Sequence, residues 1–119
     1  MPHLIVEYSS NLAGFPKAQA LRELNLAVSS SHEVLNEADL KTRIVALDSY
    51  EIGSSPAARA FVHAQLRLLS GRTPEVKKDL GARRAAVLRQ LTSRPEGVVV
   101  NLSDELVDSE CGPNVQELI

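Results

Sequence analysis

The sequence predicts an α+β domain in which a four-stranded mixed sheet carries two helices on one face. Three observations predict it. Apolar spacing along the chain switches between periods of two and about 3.6 in the order β-α-β-β-α-β. The two halves of that order resemble each other: residues 4–21 and 62–80 both run strand, small polar turn, proline, amphipathic helix. Finally, 119 residues suit one core and leave no room for two. The whole chain, 1–119, therefore reads as a single domain. Its β-α-β halves span about 2–52 and 59–107, followed by a tail at 108–119.

The first strand is His3 to Tyr8, where Leu4, Val6 and Tyr8 alternate with His3, Ile5 and Glu7. Gly14 ends the following turn, and Pro16 suits a helix start. From Lys17 to Ser30, Leu21, Leu24 and Val28 follow helical spacing beside Ala20 and Ala27. Lys41 to Ile52 reads as the second strand, with Thr42, Ile44, Ala46, Asp48 and Tyr50 on one face. Gly53-Ser54-Ser55-Pro56 is a loop. Ala60 to Leu69 is the third strand, with Ala60, Val62, Ala64, Leu66 and Leu68 forming its apolar face. Thr73-Pro74-Glu75 then gives an N-cap, a proline in the first turn and an acid beside the helix dipole.

The second helix runs to about Ser93, with Val76, Leu80, Val87 and Leu91 as its stripe and Gly81 as a weak point. Arg83 and Arg84 interrupt that stripe, which predicts acidic partners for them across a subunit boundary. Arg94-Pro95-Glu96-Gly97 stops the helix, and Val98 to Val107 is the fourth strand. Two helices on one face bury both stripes. Each β-α-β unit then pairs its strands in parallel through a right-handed crossover. The other sheet face and the tail are left to pack on another subunit.

Composition narrows the function classes. The formal charge is −2, but it is unevenly spread. Eleven basic and four acidic side chains lie between Lys41 and Arg94, against two basic and eleven acidic elsewhere. The middle of the chain can attract a small anion while the whole repels polyanions. With two Phe, two Tyr and no Trp there is no stacking platform, so nucleic acid is not the expected partner. The lone Cys111 permits no internal disulfide and fits a reducing cytoplasm; it reads as inert or subunit-facing. His3 and His63 sit on strands as structural histidines, and no Cys/His spacing calls for a metal. No signal peptide and no membrane span is expected.

Four residues could carry chemistry. Pro2 follows Met1, whose removal would leave a secondary amine able to accept a proton. Ordinary α-amino groups titrate near 7.7–8.0, and burial beside a cation lowers that value. Arg72 lies in Ser70-Gly71-Arg72-Thr73, between a strand and a helix N-terminus, where it fits either a carboxylate clamp or a surface arginine near a cap. Arg43 and Lys41 share one strand face, as an anion site or as a solvated edge.

Three separated segments together resemble a known family. Met-Pro-His-Leu-Ile-Val-Glu-Tyr-Ser at the start, Lys-Thr-Arg-Ile-Val from Lys41, and Arg-Ala-Phe-Val-His-Ala-Gln-Leu-Arg-Leu-Leu-Ser-Gly-Arg-Thr from Arg59 are similar to 5-carboxymethyl-2-hydroxymuconate isomerases of the tautomerase superfamily. The similarity runs from Pro2 to about Val107. It implies a tautomerase-like fold, a homotrimer, and a cofactor-independent proton shift in a carboxylated dienol during aromatic catabolism. It also implies that Pro2 is the general base, that Arg72 binds a substrate carboxylate, and that Arg43 with Lys41 makes a second contact. A phenylpyruvate-like enol or an activated acid as substrate, or a non-catalytic trimeric ligand-binding protein, would use the same scaffold.

Overall fold

The computed structural model describes residues 2–31, 36–109 and 115–119. Its elements are β1 (His3–Ser9), α1 (Lys17–Ser29), a single 3-10 turn (Glu37–Asp39), β2 (Lys41–Leu47), β3 (Arg59–Leu69), α2 (Pro74–Leu91) and β4 (Val99–Ser109). The strands form one sheet in the order β2-β1-β3-β4. β1 pairs with β2 in parallel and β3 with β4 in parallel, while β1 and β3 are antiparallel at the centre. Each β-α-β half thus keeps its own parallel pair, as the crossover rule requires. Cys111 and the turn around it lie outside the described residues.

Alternation decides which face the helices cover. Leu4, Val6, Val62, Ala64 and Leu66 are fully buried, and from the helices Ala20, Leu24, Val28, Leu80 and Leu88 join them. Fully burying each such leucine is worth about 1.5–3 kcal/mol, so this single layer supplies most of the fold's driving force. The opposite face carries His3, Ile5 and Glu7, all only partly covered. Tyr8 closes one end of the core by stacking on Phe15 at 4.5 Å between ring centroids.

Two departures from the sequence expectation have clear causes. β2 ends at Leu47 rather than Ile52, because its partner β1 ends at Ser9, opposite Leu47. Without a neighbouring strand, the alternation through Tyr50 has no ladder to join, and Tyr50 instead meets Phe61 edge-on. The second departure concerns the arginines of α2, whose partners lie within the same chain. Arg84 is fully buried and pairs with Asp104 of β4. Arg83 bonds Asp79 at 2.8 Å and reaches Ser30 Oγ and the Ala27 carbonyl at the end of α1. A cation there complements the negative end of that helix.

Candidate active site

The topology gathers one end of the sheet. Pro2 precedes β1 and is buried, and its carbonyl accepts a hydrogen bond from Lys41 N–H at 3.2 Å. His3 lies opposite Lys41 on one side and Arg67 on the other. Because β1 and β3 run antiparallel, the start of β1 stands beside the end of β3, where the chain turns into α2. Residues 70 positions apart, Pro2 and Arg72, thereby come to the same end of the sheet.

Arg72 occupies that turn. Gly71 adopts φ +115°, a region L-residues rarely enter, so the chain can leave the strand sharply. Thr73 caps α2 by accepting from Val76 N–H at 3.3 Å, with Pro74 in the first turn. Between them Arg72 is half-buried and donates through Nη1 to the Leu69 carbonyl. This contact holds the guanidinium against Leu69, the last residue of β3. Lys41 and Arg43 both project from the sheet face that the helices leave open. Lys41 is half-buried, whereas Arg43 is exposed and places Nη1 3.1 Å from His3 Nδ1.

The electrostatics of this edge are one-sided. Burial holds the His3 imidazole below its usual range, and Arg43, Lys41 and Arg67 push it further the same way. Of the four residues singled out in the sequence, Pro2 and Lys41 are joined through the backbone, Arg72 shares their end of the sheet, and Arg43 stands two residue pairs further along. His3 and Arg67 were not anticipated as members of this group. Their parity was visible in the sequence, but the register that sets them beside Lys41 was not.

Elsewhere on the open face, His63 stands between Ser103 Oγ at 2.7 Å and Glu105 Oε1 at 3.2 Å. The Glu105 carboxyl is held below the usual carboxylate range by hydrogen bonds from Gln65 and His63. A cleft of about 540 Å³ opens beside His63 at the end of the sheet remote from Pro2, floored by Leu47, Ile52 and Phe61. Among the described residues, no three His, Cys, Asp or Glu side chains are grouped to hold a metal, and no helix is long and apolar enough to cross a membrane.

A model of the 5-carboxymethyl-2-hydroxymuconate isomerase family matches residues 2–110, beginning at the proline of this edge. The chain belongs to that family. It is an isomerase of the tautomerase superfamily, and its fold agrees with solved relatives. A 5-carboxymethyl-2-hydroxymuconate isomerase from Deinococcus radiodurans R1 is 28% identical, with a TM-score of 0.82 over 98% of this chain and 88% of that one. A 5-carboxymethyl-2-hydroxymuconate delta-isomerase is 22% identical, with a TM-score of 0.78 over 100% of this chain and 87% of that one. A fused 4-OT that forms a symmetric trimer is 25% identical, with a TM-score of 0.58 over 95% and 94%. No curated protein sequence matches the chain.

Proposed function

We propose that the chain isomerises 5-carboxymethyl-2-hydroxymuconate, or a close carboxylated dienol, using the nitrogen of Pro2 as general base once Met1 is removed. The observation that carries this reading is the family match beginning at a buried Pro2, at a sheet edge rich in cations. Nearby positive charge and burial both favour the neutral amine, which is the form able to accept a proton.

In this mechanism the lone pair of Pro2 takes the enol proton, and the enol O–H electrons form the ketone. The double bonds shift along the conjugated system, and the protonated nitrogen returns a proton to carbon. Atoms and charge balance without any added cofactor. Arg72 holds one substrate carboxylate, and Arg43 with Lys41 holds the other or the carbonyl oxygen that gathers charge as the proton moves. Guanidinium suits this work because its fork matches the two carboxylate oxygens.

The reading includes a homotrimer, in which the open sheet face packs against neighbouring copies, and a cytoplasmic place in aromatic catabolism. The trimeric fused 4-OT and the uncovered face support the assembly. The test is the proton-shift assay with wild type and Pro2→Ala, alongside intact mass to establish that Met1 is absent. A loss of about 10²–10⁴ in kcat for Pro2→Ala is the expected result. Full activity in that variant, or in protein that retains Met1, would remove the prolyl base.

A further inference from the structure

We propose that His3 is a positioning residue, whose unprotonated Nδ1 holds the Arg43 guanidinium so that its remaining N–H groups face a substrate carboxylate. The inference rests on the reading that Arg43 binds substrate, and it adds a residue and a pH dependence to it. A guanidinium can only donate, so at 3.1 Å from Arg43 Nη1 the His3 Nδ1 must accept. The neutral ring then carries its proton on Nε2.

Arg43 needs such a partner. Within one chain its side chain is exposed on an edge strand, and among the described residues of that chain no ion pair with a carboxylate holds it. An arginine free to rotate loses that freedom on binding, which weakens its grip. A fixed acceptor removes part of the cost in advance, and a neutral acceptor does so without cancelling the positive charge that attracts the substrate. A carboxylate in the place of His3 would fail on that second count.

The charged groups facing His3 are Lys41 and Arg43 from β2 and Arg67 from β3; the helices pack on the other face. All of them disfavour the imidazolium, so the acceptor survives below the ordinary histidine range. Protonation removes the acceptor and sets imidazolium against guanidinium, releasing Arg43.

The experiment measures KM and kcat on 5-carboxymethyl-2-hydroxymuconate for wild type, His3→Leu, His3→Gln and Arg43→Ala, from about pH 8 to about pH 5. His3→Leu is expected to raise KM about tenfold with kcat within about twofold, the size of one lost hydrogen bond to a charged group. His3→Gln retains an acceptor that does not titrate. Its KM should match wild type at the alkaline end and rise less than wild type's on the acid side, because only the wild-type ring can lose its acceptor by protonation. An unchanged KM in His3→Leu, or a wild-type acid rise persisting in His3→Gln, overturns the proposal. If His3→Leu fails to fold, the His3→Gln profile decides alone. A raised KM in Arg43→Ala beside an unaffected His3→Leu sinks the positioning role and spares the substrate-binding one. An unaffected Arg43→Ala sinks both.

Discussion

Arg84 of α2 grips Asp104 of β4 through two hydrogen bonds of 2.7 Å, inside a layer that is otherwise apolar. Arg84 is fully buried and the Asp104 side chain is only 14% exposed, so the pair is largely shielded from bulk water. Gly81 explains itself at this point. A Cβ built there would stand 3.3 Å from Asp104 Oδ2, so the missing side chain leaves room for the pair.

Removing one partner leaves the other buried and uncompensated. Asp104→Ala should therefore destabilise the protein by about 3–5 kcal/mol. Gly81→Ala ordinarily gains about 1 kcal/mol in a helix. Here it crowds an oxygen that Arg84 holds in place, and a net loss is expected. In the Asp104→Ala background the crowding disappears and Gly81→Ala should become stabilising. Urea midpoints of the single and double variants, at one protein concentration, read this reversal of sign directly.

Leu66 and Leu26 offer a contrast at constant chemistry. Leu66 is fully buried in β3, whereas Leu26 on α1 is 69% exposed. Leu66→Ala is expected to cost about 2–5 kcal/mol, and Leu26→Ala less than about 0.5 kcal/mol. Denaturant unfolding of both variants checks it. Equal losses would mean that α1 is covered where the single chain leaves it open.

Stability should fall in mild acid because of His3. Its imidazole titrates below 6.5 in the folded chain, so between that value and its folded pKa the unfolded state binds more protons. Its contribution is therefore present above 6.5 and declines as pH drops through the folded value. Wild type should lose more stability than His3→Gln between about pH 7.5 and about pH 5. Glu105 titrates below 4.5 and stays outside that window.

Arg72 should separate charge from geometry. Arg72→Lys keeps the positive charge and loses the planar fork, and Arg72→Ala loses both. KM is expected to rise roughly tenfold for the first and roughly a hundredfold for the second, in steady-state kinetics on the dienol. Thermal melts of both variants report separately on the contact with the Leu69 carbonyl.

The architecture was legible because its signals are local. Leu4, Val6, Val62 and Leu66 alternate, Leu24 and Val28 repeat at helical spacing, and Thr73-Pro74 marks a helix start; the structure keeps each in its expected role. What local pattern could not show was pairing. Arg84 broke the stripe of α2 because its partner is an aspartate 20 residues away, which becomes a neighbour only when β4 lies against the helix. The same holds at the candidate site. Pro2 and Arg72 were conspicuous as a terminal imino acid and a guanidinium beside a cap. His3 gained meaning only from the register that put Lys41 and Arg67 beside it and brought Arg43 within reach of its ring.

The resemblance between the two halves has a stoichiometric consequence. β3 opens the second half much as β1 opens the first, yet Arg59 is joined to Ala58 by an ordinary peptide link. An amide nitrogen delocalises its electron pair and is no Brønsted base, so the second half cannot host a copy of the first half's terminal amine. In the proposed mechanism the base therefore belongs to the first half alone, although the backbone repeats the scaffold twice. Severing the chain ahead of β3 would free a primary amine at Arg59, not the secondary amine of a proline.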